Sequence, residues 1–400
     1  MIKLVFYFSH YNTLGHSTRV FSLVKGLKEY FGKNIKILVL QSGKKQNILP
    51  FGRYAKVDIM PYAIDKKGLF IEQKESIYNK FIENSKVKVM LKERLRFMKK
   101  KIKTFQPNLF ISEYFPFGQE FWTFELPYLL EYLKNEIGCK IVASSGYLNY
   151  SNFTYENIKK YYDYLLIHSP KVFCQGYLKY LHKKAVIELD NVFDDFSDKI
   201  SFTGFIFNDN QRKAVISQKN KLLKNKYEKL ILVSRGGGIV NKKIILTALL
   251  TAKRNKNLFF LVSTGPATTV NEFRQYKKIA KKIKNAKLKK VINPREFDFY
   301  LKACDLSVNM SGYNTIARLL YYRKKTIIVP YYTSEQRWRA DLAKNYIPSE
   351  IILRKELNPT NLEEAIANLL KGSKKTLKVK QSWFKGMPNT IDKIKWIVQQ

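Results

Sequence analysis

Cysteine is scarce and scattered. Cys139, Cys174 and Cys304 are the only three, odd in number and far apart, with no CxxC and no Cys/His cluster. That excludes a disulfide framework and offers no zinc site; it fits a reducing cytoplasm. Long apolar runs are missing too. None approaches the roughly 18 residues of a spanning helix. The opening "MIKLVFYFSHYN" is interrupted by Ser9 and His10 before it reaches the length of a signal peptide's apolar region. A soluble protein, or one lying on a membrane surface, is expected. Acidic residues are few: 32 Asp and Glu stand against 73 Lys and Arg, a formal net charge of +41. Such an excess attracts nucleic acid, anionic lipid or phosphorylated substrates. It equally fits a compositional bias, because the lysines travel with abundant Ile, Asn, Phe and Tyr. The densest run, "KKIAKKIKNAKLKK" (277–290), keeps an apolar residue every third or fourth position and reads as a solvated helix face.

Apolar residues are plentiful, at 45%, with 14% aromatic, so a folded core is expected rather than disorder. A chain of 400 residues is too long for one ordinary core, and two domains of about 200 residues are the natural expectation. Strand-like runs alternate with helical periodicity throughout, the mark of parallel α/β layers. Strands are expected at 2–8, 34–40, 107–113, 139–145 and 162–169, with "AVIELD" (185–190) and "KISFTGF" (199–205) closing the first half. Helices are expected at 17–30, within the basic amphipathic stretch 71–105, and over "EFWTFELPYLLEYLKNE" (120–136). The pattern restarts at "KLILVSRGGG" (229–238) and continues through strands at 258–265, "VI" (291–292), 304–312 and 325–331, with helices at 241–254, 271–284 and 314–323. The expected division is a first domain over 1–205, a polar junction over 206–228, a second domain over 229–375, and a final segment 376–400 that ends in a helix after Pro388.

Glycine-bearing turns between strand and helix are where open α/β sheets bind ligands, because backbone N–H groups and the helix dipole attract anions there. The first is "HYNTLGHSTR" (10–19). Gly15 allows a tight turn and close approach, and Ser17 or Thr18 can cap the helix. His16 near a helix N-terminus is favoured in its neutral form, able to accept a proton. Read alone, it could equally just complete the turn's hydrogen bonding. The second is "SRGGG" (234–238), where Gly236, Gly237 and Gly238 expose N–H groups to a phosphate and Arg235 adds a cation. It is neither a Walker loop nor a dinucleotide fingerprint. The third is "NMSGYNTIARLL" (309–320), in which Ser311, Gly312, Tyr313, Asn314 and Thr315 gather hydroxyls, an amide and N–H groups at a helix start. Downstream, Glu335 and Gln336 pair a carboxylate with an amide, a combination suited to sugar hydroxyls. Aromatics around the turn "YFPFG" (114–118), with Glu113 and Glu125 close by, form either a ligand wall or plain core.

Taken in order, these segments resemble the two-domain nucleotide-sugar glycosyltransferases of the GT-B fold, in particular the MurG-like branch and a bacterial and archaeal group of predicted glycosyltransferases. The residues that carry the likeness are Gly15-His16, Glu113 to Gly118, Phe124 to Leu130, Gly236 to Gly238, Ser311 to Thr315 and Glu335-Gln336. The resemblance implies two doubly wound Rossmann-like domains facing across a cleft, with acceptor bound by the first, nucleotide sugar by the second, and the last helix crossing back to the first. It implies transfer of a sugar from a nucleotide diphosphate, UDP-linked by expectation, to a hydroxyl of a glycan, a lipid-linked or a small-molecule acceptor. No cofactor and no metal are implied. His16 matches the family's active-site histidine, with Gly15, Glu113 and Phe117 on the acceptor side. Arg318 stands where the family usually has a glutamate for the ribose hydroxyls. Arginine cannot accept those bonds, so it is expected to meet a phosphate or to mark a different nucleotide hold. The stretch "SSGYLNY" (144–150) lacks the family's Arg-Asp pair. A cytoplasmic enzyme is expected, either free or peripheral on the inner membrane face. The rivals are a nucleotide-sugar 2-epimerase of the same architecture and a basic polyanion- or membrane-binding protein with a degenerate site; nucleic acid is the weaker partner.

Overall fold

The first strand shows why the fold begins as it does. Leu4 to Phe8 are buried on both faces, and such an unbroken apolar run suits a central strand of a parallel sheet covered by helices on either side. In the computed structural model this is β1 (Ile2–His10). The structure describes residues 1–10, 14–43, 45, 47–61, 85–118, 125–149, 151–206, 219–220, 222–223, 226–237, 240–372 and 375–400. By internal packing the chain falls into two compact units, one of Met1–Tyr11, His16–Ile206 and Ser382–Gln400, the other of Asn12–Gly15 and Phe207–Gln381.

The first unit holds seven parallel strands in the order β3-β2-β1-β4-β5-β6-β7. After β1 these are β2 (Ile35–Gly43), β3 (Lys56–Ile59), β4 (Leu109–Glu113), β5 (Lys140–Ser145), β6 (Tyr164–Ile167) and β7 (Ile200–Phe202). The order reverses direction between β1 and β4, the doubly wound arrangement. Helix α1 (Gly15–Phe31) lays Val20, Leu23, Val24 and Leu27 on the sheet. The same core takes Met387, Ile391, Ile394 and Ile397 from the C-terminal helix Gly386–Ile397. Burial of four such side chains contributes on the order of 1.5–3 kcal/mol each. Gly26 makes room for this, since a Cβ there would lie 2.4 Å from Met387 Sδ.

The second unit holds six parallel strands in the order β10-β9-β8-β11-β12-β13. They are β8 (Lys229–Ser234), β9 (Leu258–Ser263), β10 (Ala286–Lys289), β11 (Leu306–Asn309), β12 (Thr326–Ile328) and β13 (Ser349–Ile351). Each unit is thus a Rossmann-like parallel layer with helices packed against it, as the alternating pattern predicts.

Some segments differ from expectation. "AVIELD" is not a strand. It lies in the helix Lys183–Asp195, whose N-cap His182 accepts the Ala185 N–H at 3.2 Å. Ala185, Leu189 and Val192 form its buried stripe, at helical rather than strand spacing. The strand expected at 291–292 is β10, at 286–289. The last part of the basic run 277–290 is therefore edge strand, over Ala286–Lys289, because the preceding helix ends at Ala280. Lysines on an edge strand discourage pairing with another chain. Of the stretch 71–105, the helix covers Ser85–Phe105, and 71–84 lie outside the described residues. Of 120–136, Leu126–Tyr132 is α-helical and Leu133–Ile137 is a π turn, with 120–124 outside the described residues. No helix among the described residues is long and apolar enough to cross a membrane.

Candidate active site

Each sheet has one topological switch point, between β1 and β4 in the first unit and between β8 and β11 in the second. The loops beyond the strand ends at these places form the crevices in which doubly wound folds bind ligands. Every glycine turn singled out from the sequence leaves one of these four strands.

In the first unit, β1 hands over to α1 through the turn that carries His16, and β4 ends on Glu113. Residues 97 apart in sequence therefore meet: His16 Nδ1 lies 3.0 Å from Glu113 Oε1. The Arg19 guanidinium, one turn along α1, reaches the same carboxylate oxygen and lies 3.5 Å from His16 Nδ1. Ser144 at the end of β5 donates to Glu113 Oε2 at 3.0 Å. Burial by itself would raise the Glu113 pKa. The Arg19 charge and the His16 contact outweigh it and bring the carboxyl down to about 2. An ionised carboxylate only accepts hydrogen bonds. Nδ1 of His16 therefore carries a proton, so in the neutral ring it is Nε2 that keeps the lone pair. The His16 side chain is 29% exposed where Glu113 is 1%, so the imidazole meets solvent and its orienting acid does not. A ring of Tyr114 lies 5.0 Å from the His16 ring. This is the geometry of a general base held in one tautomer by a carboxylate.

Other predicted residues have supporting places. Gly15 opens α1, and a Cβ there would meet nothing within 4 Å. Phe117 is wholly buried, so it props the turn from beneath and offers no surface to an acceptor, contrary to the expectation for it. Gly118 is closed by Tyr114, whose Cε1 would lie 2.4 Å from a Cβ at that position. Glu125 belongs elsewhere: it is fully buried against Arg94, at 2.7 Å from Nε, and accepts from the Tyr7 hydroxyl at 2.9 Å. His10 contacts Ser17 Oγ at 2.9 Å. Ser17 is thus engaged with the strand end and is no simple cap.

In the second unit the switch point is built from backbone. Gly236 follows β8 with φ +68°, and its N–H donates to Ser234 Oγ at 3.1 Å. Gly265, after β9, packs against it: at φ +88°, a Cβ on Gly265 would lie 2.3 Å from Gly236 O. Gly237 continues the loop, and Gly238 lies outside the described residues. After β11, Ser311 adopts φ +59° and Gly312 is the N-cap of the helix Tyr313–Tyr322. The first N–H groups of such a helix, on Tyr313, Asn314 and Thr315, lack intrahelical acceptors. The Thr315 N–H instead turns back to Gly312 O at 2.9 Å. The helix Ser334–Tyr346 is knitted to this loop: Ser311 Oγ donates to Gln336 O at 2.8 Å, and Arg339 Nε donates to Ser311 O at 2.8 Å. Gln336 Oε1 accepts the Tyr331 N–H at 3.0 Å, and Glu335 pairs with Arg339.

Two arginines sit otherwise than expected. Arg235 is not a cation offered to phosphate. It is buried, with Nη1 2.7 Å from Glu272 and Nη2 donating to Thr268 Oγ1 at 2.8 Å. Burial pushes the Glu272 carboxyl up; bonding to Arg235 and its charge more than reverse this, and the net direction is down. Arg318 likewise turns inward, paired with Asp298 and donating to Asn314 O at 2.9 Å. A buried ion pair is a poor source of stability, but breaking one side is costly. Both arginines thus brace the loops from behind. Neither Asp298, Glu272, Arg19 nor Ser144 stood out in the sequence: each lies on a helix or strand far from its partner, and no spacing marks the pairing. Arg339 sits at the i,i+4 spacing from Glu335, a signal the sequence did carry.

Residues 230–394 match the family model described as the glycosyltransferase family 28 C-terminal domain. No curated protein matches the chain by sequence. Among solved structures, the chain is similar to the glycotransferase of kitacinnamycin, with a TM-score of 0.65 at 12% identity and 99% of each chain covered. It is also similar to Acinetobacter baumannii MurG, at TM-score 0.56 and 11% identity over 98% of this chain and 99% of that one. A third is UDP-GlcNAc 2-epimerase from Neisseria meningitidis, solved with UDP-GlcNAc, at TM-score 0.59 and 11% identity over the whole of both chains. The fold is the GT-B fold of these structures. The match and the fold support a glycosyltransferase as the enzyme class.

Proposed function

We propose that this protein transfers a sugar from a nucleotide diphosphate donor, UDP-linked, to an acceptor hydroxyl, with His16 as the base on the acceptor side. The observation that carries the reading is the His16–Glu113 contact at the first switch point. A neutral imidazole, held by an ionised acid and open at Nε2, takes the hydroxyl proton as the oxygen attacks the anomeric carbon. The oxygen–carbon bond forms as the bond to the diphosphate breaks, and the diphosphate leaves with the electron pair. Direct displacement of this kind inverts the anomeric centre. N–H groups of the Gly236 loop and the Tyr313–Tyr322 helix start hold the diphosphate, which needs no metal in this reading. Glu335 and Gln336 hold the donor sugar. The family 28 match over 230–394 takes in all six strands of the second unit except the first residue of β8, which supports the donor assignment.

The MurG-like likeness in the motifs, a cytoplasmic site and attachment to an anionic membrane face complete the proposal. The net charge of +41 favours such a surface. Incubation with a panel of UDP- and TDP-sugars and simple acceptors tests it. Transfer that continues in a chelator supports the reading. Conversion of the donor with no acceptor present gives the epimerase reading instead, and polyanion binding without affinity for any nucleotide diphosphate contradicts both.

A further inference from the structure

Behind Glu113 the polar contacts do not stop. Glu113, Ser144 and His168 stand side by side at the ends of β4, β5 and β6. Glu113 pairs with Ser144 in the sheet register, and the His168 N–H bonds Ser145 O at 2.7 Å. All three are buried. Ser144 Oγ lies 3.0 Å from Glu113 Oε2 and 3.0 Å from His168 Nε2, and His168 Nδ1 lies 2.8 Å from Thr203 Oγ1.

Proton counting orders this row. Glu113 is ionised and accepts only. The single Ser144 hydroxyl proton therefore goes to it, and Ser144 Oγ must accept from His168 Nε2–H. His168 is neutral, since burial and the Arg19 charge push it down to about 3 against the pull of Glu113. A neutral imidazole with Nε2 protonated has a bare Nδ1, which accepts from the Thr203 hydroxyl. Of the acceptors around the Thr203 hydroxyl, His168 Nδ1 at 2.8 Å is nearer than Gly204 O at 3.3 Å and Ile167 O at 3.4 Å. The row then runs in one direction: Thr203, His168, Ser144, Glu113, and then the His16 Nδ1–H that Glu113 receives.

We infer that His168 is a positioning residue for His16, acting through Ser144 and Glu113 across three adjacent strands. The groups that face this row are His16 and Arg19 from α1, Glu113 and Tyr114 at the end of β4, Ser144 on β5, and His168 with Thr203 behind it. Reversal of the Ser144 hydroxyl would withdraw its proton from Oε2, and Glu113 would then hold the imidazole less firmly. The inference rests on reading His16 as the base, but its tautomer assignment stands without any turnover.

The test is a double-mutant cycle with a spectroscopic readout. In His168→Leu, turnover falls about tenfold at unchanged donor KM, the size typical of partners that orient a functional group. His168→Gln, which can still donate to Ser144, restores most of it. In a Ser144→Ala background, His168→Leu causes no further loss, because coupled residues are not additive. Long-range proton–nitrogen correlation spectra of the histidines show His16 protonated on Nδ1 in the parent protein and a mixture of tautomers in Ser144→Ala. Near-UV circular dichroism confirms folding. If His168→Leu does not fold, His168→Met, which likewise cannot donate to Ser144, takes its place in the cycle. Additive losses, or His16 protonated on Nε2 in the parent, would overturn the inference. A protein that shows the expected tautomers yet transfers no sugar would sink the proposed function and leave the relay standing.

Discussion

The two switch points share a topology and differ in material. In the first unit the candidate groups are side chains: a half-buried imidazole, a buried carboxylate and a guanidinium packed against it. In the second, the working surface is backbone at Gly236, Ser311 and Gly312, and the charged side chains are turned away from it into pairs with Glu272 and Asp298. Under the proposed function, the contrast follows from the chemistry each end would serve. Moving a proton takes a titratable group whose tautomer is fixed by a neighbour. Holding a diphosphate takes fixed N–H dipoles that need no reorganisation. The arginine pairs of Glu272 and Asp298 brace the second unit's loops, whereas the Arg19 charge helps to keep Glu113 ionised in the first.

Breaking the first side produces the largest effect. Glu113→Gln leaves Arg19 buried without its anion, which costs about 3 kcal/mol of stability, and it frees the His16 tautomer, with turnover falling roughly a hundredfold. Chemical denaturation and steady-state rates read the two losses separately. A variant as stable and as fast as the parent would remove the carboxylate from the account. The second side breaks through shape. Gly265→Ala forces a Cβ into Gly236 O while the backbone sits at φ +88°. Donor affinity should weaken about tenfold by titration calorimetry, about the free energy of one lost hydrogen bond to a charged group. Unchanged affinity would dissociate this loop from the diphosphate.

Acid should expose the same asymmetry. His168 is neutral in the folded protein down to about pH 3 but takes a proton at the ordinary imidazole value of 6.5 when unfolded. Between those values the unfolded chain binds more protons, so stability falls as pH falls, by up to about 1.4 kcal/mol per unit. Glu113 acts in the same direction between 4.5 and about 2. Melting temperatures followed from pH 7 to 4 should drop, and drop less in His168→Leu. A parallel decline in both proteins would contradict the buried neutral histidine. The smallest effect is expected from Gly118→Ala, which displaces the Tyr114 ring beside His16. A rate loss of about threefold, with the stability unchanged to within about 0.5 kcal/mol, would mark the ring as a wall of the site.

The parallel α/β layers were legible because buried strands such as 2–8 and 258–263 are unbroken apolar runs and helices such as 243–254 carry a clear amphipathic period. The short edge strands β3, β10 and β13 were not, since three or four half-exposed residues leave no pattern. "AVIELD" misled because six residues cannot separate period 2 from period 3.6. Turns that carry Gly15-His16, Gly236 and Ser311-Gly312 were readable as strand-to-helix handovers. What the arginines do was not. Arg235 and Arg318 looked like free cations in sequence, and only folding brings Glu272 and Asp298 to them. The same holds for His168, a histidine in an unremarkable strand end until β5 sets Ser144 between it and Glu113.

The division of labour between the units is tested most directly by His16→Ala, measured for UDP affinity by calorimetry and for sugar transfer by product formation. A proton acceptor that does not touch the donor predicts a Kd within about twofold of the parent and a turnover lower by at least about a hundredfold. Unchanged turnover, or a rate loss explained wholly by lost UDP binding, would contradict it.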